Sequence, residues 1–535
     1  MANGRFVLTL AVFAALLSSR QGLSQKFFPD DPIQVMPPPV PVTNVANRSV
    51  NPLYDFFLNS SKPDQRPPTA GSAVNTLGEA PDSVWFTNRH GRVRMSRERL
   101  QRGAGADKAP APPYTVLGGK NEGIAPGFRM RDSAGRLYIV KLDPLNNPEM
   151  ASGAELVVSK FLYAAGYNTP ENYITYAKLS DFHLSKRARM NVSDSQSRKI
   201  TWRDFRDIVQ NTPRSPDGSF RMMASLKIEG EAVGPFRYEG TRPDDPNDTV
   251  PHENRRDLRG LFVLTSWLNH TDAKANNSLD TIVEENGKRF IRHYLIDFGS
   301  SLGSDTVLAK DPQFGREFAW PRLGFLLTRI VTLGLAPASW ERARFPRAPA
   351  AGNFEAALFE PGDWKSNYPN PAFLSRLPDD EFWAAKIVMT FSDDDIRAIT
   401  ETGRFTDPRV AGIITAALIE RRNRIGKHYF SKVLPLDRFR IHNRELQSDD
   451  LAGDYGFRPA VDQMFQWSRF DNMSLQQHSL PGSASNKIPD EADGAPVGAY
   501  FSVVIHQTNE GPKAVTVTIR KTQNGYDVVG VERAW

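Results

Sequence analysis

The sequence predicts an α+β protein in which strands come first, a mainly helical stretch follows, and a small β-rich segment closes the chain. Three observations predict it. Between residues 114 and 141, short runs with alternating or β-branched character (YTV, GFRMRD, RLYIVKL) are separated by glycine-bearing turns, as antiparallel strands require. Residues 148–167, PEMASGAELVVSKFLYAAGY, place Ala154, Val157, Val158, Phe161, Leu162 and Ala165 at helical spacing between Pro148 and Gly166. From residue 320 to 430 helical patterns dominate, whereas AYFSVVIHQ, AVTVTIRK and YDVVGVERAW near the end read as strands of a small meander.

In chain order, residues 1–25 come first. Arg5, an apolar run over 6–17 and the small residues Gly22 and Ser24 form a secretory signal pattern, too short to span a bilayer comfortably. The expectation is export to a periplasm, the extracellular space or a secretory lumen, with no integral membrane span beyond that segment. Residues 26–113 are Pro-rich, with PPPVPV at 37–42 and APAPP at 109–113, and read as an extended arm in which only SRERLQRG suggests a regular element. The block 114–235 holds the first strands and helix, and strands near 173–178 and 222–228 extend the same sheet across a long polar insertion.

The block 236–435 opens with DLRGLFVLTSWLNH, where Leu258, Leu261, Phe262, Thr265 and Leu268 share one helical face. SLDTIVEE and RFIRHYLIDFG then flank Asn286-Gly287, the pair that a two-residue hairpin turn favours. In SDDDIRAITETG, Ser392 as N-cap with acids in the first turn accounts for Asp393, Asp394 and Asp395 better than a metal site does. Residues 436–535 read as a β-rich appendage, and no internal repeat is evident.

Composition narrows the function. With 535 residues, 40% hydrophobic and 24% charged, the chain can bury more than one core. Its 67 basic against 61 acidic residues leave a net +6 that is spread out, with no basic stripe interleaved with aromatics, so no nucleic-acid partner is expected. The absence of cysteine excludes disulfides, Cys-ligated metals, a thiol nucleophile and Cys-linked lipid. The sequon at Asn269 is an incidental match, since a glycan there would obstruct the polar loop described next.

The chemistry concentrates in NHTDAKANNSL, residues 269–279, and in the residues that lead to and from it. This stretch brings His270, Asp272, Lys274 and Asn277 directly after the second helix, and LIDFG ends the following hairpin with Asp297. Upstream, Lys141 ends a strand and Glu155 lies on the buried side of the first helix. Each piece alone is weak, but the conjunction in this order, each in the secondary structure its role needs, is much stronger.

In that order and spacing the chain resembles the protein-kinase-like superfamily over roughly residues 114–430. His270, Asp272, Lys274 and Asn277 reproduce the H-x-D-x-K-x-x-N spacing of a kinase catalytic loop, and Asp297-Phe298-Gly299 the metal-binding strand end. Within the superfamily, IAPGFRMRDSAGRLYIVKLDP looks most like the HipA-like kinases, and the compact hairpin before Asp297 is shared with phosphatidylinositol kinases and aminoglycoside phosphotransferases. The resemblance implies a bilobal fold, with an antiparallel N-lobe sheet (114–235) and a mainly helical C-lobe (236–435), that uses ATP and Mg²⁺ or Mn²⁺. Phosphoryl transfer needs a carboxylate to orient the nucleophile and take its proton, and cations to offset phosphate charge. On this resemblance Asp272 is the base, Lys274 neutralises the transferring group, and Asn277 and Asp297 are oxygen ligands for the metal. Lys141 binds the nucleotide phosphates and Glu155 holds that lysine by an ion pair. The partners implied are a nucleotide and a hydroxyl-bearing acceptor, a protein rather than a drug or lipid.

Departures from the family pattern qualify this. GGKNEGIAPG lacks the G-x-G-x-x-G spacing, so Gly118, Gly119 and Gly123 are candidates for a phosphate loop with a plain hairpin turn as the alternative. Thr271 stands where many regulated kinases have arginine, and no A-P-E follows Asp297, so control by activation-loop phosphorylation is not expected. Asn276 does not fit the five-residue offset from Asp272 that Asn277 satisfies. The alternative function is a catalytically inactive, kinase-like binding or envelope scaffold, which would be expected to have lost Lys141, Asp272 or Asp297; all three are present.

Overall fold

The structure, a computed structural model, describes residues 25–51, 69–119, 126–191, 196–319, 339–480, 482–508 and 511–535. The signal-like residues 1–24, the stretch 120–125 with Gly123, and residues 320–338 of the expected helical region lie outside the described residues. The chain divides into two compact units: Gln34–Val74 with Ala80–Lys432, and Met1–Ile33 with Asn75–Glu79 and Val433–Trp535.

The larger unit begins with most of the stretch expected to be an extended arm. Its one helix among the described residues is α1 (Arg97–Arg102), started by Ser96, whose hydroxyl accepts from the Arg99 N–H. Yet Trp85, Phe86, Met95 and Leu100 are buried. Proline keeps the backbone irregular, while burial of these side chains packs residues 85–100 into the core, as an arm that wraps rather than tethers would.

β1 (Tyr114–Gly119), β2 (Gly127–Arg131) and β3 (Leu137–Lys141) pair antiparallel in sequence order. After α2 (Met150–Ala165) come β4 (Asn172–Ala177), β5 (Phe182–Asn191), β6 (Ser197–Lys199), α3 (Trp202–Gln210) and β7 (Phe220–Leu226). They complete a seven-stranded sheet in the order β4-β7-β3-β2-β1-β5-β6. One pair departs from the expected antiparallel sheet: β1 and β5 run parallel. The polar insertion carries the chain from β4 at one edge across to β5 and β6 at the other, before it returns as β7 beside β3. Such a crossover permits parallel pairing. Val116, Phe128, Tyr138, Val140, Phe182 and Phe205 build the core on one face of this sheet.

β8 (Glu231–Ala232) pairs with β9 (Ser278–Glu285), which pairs with β10 (Lys288–Leu295). Between β8 and β9 runs α4 (Arg256–Trp267), buried along its whole length. Two short strands, β11 (Ser304–Asp305) and β12 (Leu308–Ala309), follow β10. The rest of the described unit is irregular up to α5 (Pro371–Leu374) and then helical: α6 (Pro378–Met389), α7 (Asp393–Glu401) and α8 (Pro408–Phe430). At the start of α7 the Ser392 hydroxyl accepts from the Asp395 N–H, and the Asp395 carboxylate accepts from the Ser392 N–H. The acidic triplet is therefore a capped first turn, as expected. A sheet-built lobe followed by a helical one is the two-lobed α+β arrangement expected from the sequence.

The smaller unit holds a hairpin of β13 (Leu436–His442) and β14 (Glu445–Asp450), then α9 (Leu451–Asp454). β15 (Gln463–Phe470), β16 (Gln477–Ser479), β17 (Tyr500–Gln507), β18 (Ala514–Thr522) and β19 (Gly525–Ala534) form an antiparallel sheet ordered β16-β15-β17-β18-β19. The last three strands are the expected meander, and β13 to β16 are additions to it. Alternate residues Phe501, Val503 and Ile505 of β17 face Val515, Val517 and Ile519 of β18 in its core.

Candidate active site

A two-residue turn brings the first pair of candidate residues together. Asn286 and Gly287 both have positive φ, 51° and 71°, as a type I′ turn requires, and this locks β9 against β10 with Ser278 opposite Leu295. One step beyond the ladder, the Ile296 N–H donates to the Asn277 carbonyl at 3.0 Å. Asn277 and Asp297 thus arrive at the same open end of the hairpin. Asp297 has a left-handed backbone, φ 61°, uncommon for a residue with a β-carbon, which turns the chain out of the strand. At Gly299 a β-carbon would lie 3.3 Å from Glu155 Oε2, so a side chain there would crowd the Glu155 carboxylate, while Asp297 Oδ1 at 3.9 Å would be in ordinary contact.

Lys141 arrives from the end of β3. Its side chain leaves the face opposite to Tyr138 and Val140, and its Nζ lies 2.8 Å from Glu155 Oε2 on α2 and 2.7 Å from Asp297 Oδ1. One ammonium faces two carboxylates. The Glu155 side chain is 3% exposed but that of Asp297 is 39% exposed, so the trio is closed on one side and open on the other. Burial alone would pull the Lys141 pKa down, but Glu155 and Asp297 together hold it above the ordinary lysine value. Burial pushes Glu155 up against the pull of Lys141, and Asp297 adds to the rise.

Residues that sequence reasoning missed hold this pair. Asp143, two residues after Lys141, accepts the Ser152 N–H at 2.9 Å and the Ser152 hydroxyl at 2.5 Å, which ties the end of β3 to the start of α2. Arg221 Nε on β7 donates to Ser152 Oγ at 2.8 Å. Ser152 and Glu155 lie three apart on one helix face, so the tether sets the height at which Glu155 meets Lys141. The available signal was an aspartate just past the strand-end lysine, facing a serine in the first turn of the next helix.

The second trio comes from the loop after α4. Lys274 Nζ lies 2.8 Å from Asp272 Oδ1, and Asn277 Nδ2 donates to Asp272 Oδ2 at 2.9 Å and to its carbonyl at 2.7 Å. Burial lowers the Lys274 pKa, but Asp272 more than offsets it and the net shift is upward. His270 is buried, with Ser301 Oγ 2.9 Å from its Nδ1 and Phe298 edge-on to its ring at 5.6 Å. Burial holds its imidazole down to about 4, with Asp272 pulling the other way, so it is neutral near pH 7. Asn269 is consumed by the fold: Nδ2 donates to the Leu302 carbonyl at 3.0 Å and Oδ1 accepts from Trp364 Nε1 at 3.0 Å, in keeping with an incidental sequon. Behind the loop sits another residue the sequence did not single out, Lys310, whose Nζ donates to Thr271 Oγ1 at 2.7 Å.

The glycine candidates fare differently. Gly119 pairs with Phe128 and Phe128 with Val140, so the end of β1 lies at the same end of the sheet as Lys141. A β-carbon on Gly118 would lie 2.2 Å from the Arg189 carbonyl oxygen on β5, so close strand packing accounts for that glycine. Gly119 has ordinary space, and Gly123 lies outside the described residues. The structure therefore brings together Lys141, Glu155 and Asp297 in one group and Asp272, Lys274 and Asn277 in another, joined through the Asn277–Ile296 backbone bond.

No protein-family model matches the chain, and no curated protein matches it. Among solved structures it is similar to the Helicobacter pylori proinflammatory kinase CtkA, at 14% identity and a TM-score of 0.31, over 58% of this chain and 94% of that one. It is also similar to the Golgi casein kinase with Mn/ADP bound, at 9% identity and a TM-score of 0.30, over 64% of this chain and 82% of that one.

Proposed function

We propose that the chain is an exported, kinase-like phosphotransferase that moves the γ-phosphate of ATP to a hydroxyl acceptor, a protein in first place. The observation that carries this reading is the pair of linked trios, in which a strand-end lysine is held between a helix glutamate and Asp297 while Asp272 is oriented by Lys274 and Asn277. The narrower likeness to HipA-like kinases rests on residues 124–144 alone.

The donor set fits a divalent cation such as Mg²⁺ or Mn²⁺. Asn277 spends its amide nitrogen on Asp272, which leaves its oxygen for a metal, and Asp297 presents a partly exposed carboxylate beside it on the same hairpin end. A cation that keeps waters and phosphate oxygens as ligands needs few protein donors, and among the described residues no cluster of three His, Asp or Glu side chains forms a self-sufficient cage. When bound, such an ion offsets charge on the phosphates.

The rest of the chemistry falls to side chains. Lys141, held by Glu155, would grip the α and β phosphates. Asp272 would accept a hydrogen bond from the acceptor hydroxyl and take its proton as the new oxygen–phosphorus bond forms and the bond to the β–γ bridging oxygen breaks, releasing ADP. Lys274, which pairs with Asp272, would turn to the transferring group.

The test is nucleotide binding and ATP consumption by the full chain with Mg²⁺ or Mn²⁺, beside Asp272→Ala and Asp297→Ala. Loss of Asp272 is expected to cost on the order of 10²- to 10⁴-fold in turnover. A wild type that binds and consumes ATP no better than Asp297→Ala would overturn the reading and leave the scaffold.

A further inference from the structure

Lys310 lies in the segment after Asp297, and its side chain is the least expected polar group near the loop. The residue is 1% exposed. Its ammonium donates to Thr271 Oγ1 at 2.7 Å, to the Ser300 carbonyl at 3.2 Å and to Ser300 Oγ at 3.3 Å. Three donors meet three neutral oxygens, and no carboxylate among the described residues forms an ion pair with it. A buried lysine usually has such a partner, because taking an ammonium out of water costs several kcal/mol. The charged groups nearest to it are Asp305, which accepts from Ser300 Oγ at 2.8 Å, and Asp272; His270 nearby is neutral.

The backbone keeps Lys310 in this place. Its N–H donates to the Gly303 carbonyl at 2.8 Å, and its carbonyl accepts from Asn353 Nδ2 at 2.8 Å. The two residues its ammonium bridges are telling. Thr271 is the neighbour of Asp272, and Ser300 follows Asp297 by three residues. One cation thus ties the backbone that carries the proposed base to the backbone that carries the proposed metal ligand. It also places an unneutralised positive charge behind two carboxylates that must approach a polyphosphate.

We propose that Lys310 is a positioning residue for phosphoryl transfer: bonded to Thr271 and Ser300, it sets Asp272 relative to Asp297. The inference rests on the phosphotransferase reading and names a part of that site which neither the loop motif nor the strand-end motif contains. A displacement of about 1 Å between reacting groups can cost about 100-fold in rate while leaving ligand contacts in place. Removal of the tether is therefore expected to act on kcat and to spare nucleotide affinity.

The experiment compares the full-length wild type with Lys310→Met, Thr271→Val and the double variant, each measured for ATP turnover, for affinity for ADP with Mg²⁺, and for thermal melting. Lys310→Met is expected to lower kcat about 10- to 100-fold, with KM for ATP and Kd for ADP within about threefold of wild type. Thr271→Val should move kcat in the same direction by less, and the double variant should be no slower than Lys310→Met, because both break one link. Multiplying losses, or kcat values for both single variants within about threefold of wild type, would overturn the proposal. Where Lys310→Met fails to fold, Thr271→Val decides by the same criterion. A wild type without turnover removes the phosphotransferase reading and this proposal with it, whereas an active wild type matched by its variants removes this proposal alone.

Discussion

Two buried charge clusters in the larger unit have opposite designs. Between α4 and α6, Arg256 Nε donates to Asp380 Oδ1 at 3.0 Å and Arg259 Nη1 to Asp380 Oδ2 at 3.2 Å, and Arg256 also pairs with Asp379. Arg259 spends its other donors on the carbonyls of Glu253 and Thr69 and on Asn254 Oδ1. Two cations meet two carboxylates, and Asp380 has no exposed side-chain surface. The cluster at Lys141 has one cation for two carboxylates, and one of them, Asp297, is partly open to solvent on a left-handed backbone. In the first cluster cations and carboxylates match in number; in the second Lys141 faces both Glu155 and Asp297, and it is there that the proposed divalent cation would add positive charge. Charge balance, more than burial, separates a structural ion cluster from a candidate site here.

The comparison breaks most directly on stability. Asp380→Ala takes away the buried carboxylate that Arg256 and Arg259 share and is expected to cost about 3–5 kcal/mol in urea unfolding. Asp297→Ala, which removes a carboxylate from a cluster already rich in them, should stay within about 1 kcal/mol of wild type. Equal losses in the two variants would erase the distinction.

A smaller effect concerns His270, which packs against Phe298 two residues before Asp272. Its folded pKa of about 4 is below the unfolded value near 6.5, so the unfolded chain binds more protons between those two values. Its contribution to stability is present above pH 6.5 and is lost as pH falls toward 4. Through this residue the fold should be about 2 kcal/mol less stable at pH 5 than at pH 7, and His270→Gln should flatten that slope. A slope unchanged by the substitution would show that other groups carry the acid sensitivity. The smallest expected effect sets the scale for an ordinary polar contact outside both clusters: Ser392→Ala removes the cap of α7 and should cost about 1 kcal/mol with turnover unchanged. A loss as large as that of Asp380→Ala would mean that this cap belongs to the load-carrying charge network.

Legibility in the sequence follows the range of the interaction. α2, α7 with its cap, and the β9–β10 hairpin are set by neighbours within a few residues, and each was readable from spacing, capping or turn residues. The hairpin also made Asn277 and Asp297 converge, since its turn fixes the register and the register fixes what lies beyond it. Burial of Trp85 and Phe86 was not readable, because proline content reports backbone irregularity and says nothing of what the side chains meet. The parallel β1–β5 pair, the Arg221–Ser152 bond and the Lys310–Thr271 bond join residues far apart in sequence, with no periodicity to mark them.

By itself, then, the sequence determined the residue types, their order and the local elements that present them: a strand ending in Lys141, a helix carrying Glu155, a polar loop with Asp272, and a hairpin ending in Asp297. Tertiary structure decided which of these meet and on what terms. It placed one ammonium between two carboxylates, closed Gly118 against β5, and put Lys310 behind the loop with no carboxylate ion-paired to it among the described residues. The physical reason is that turns and caps are stabilised by nearby backbone groups, whereas desolvation and charge balance depend on the whole set of neighbours that folding assembles.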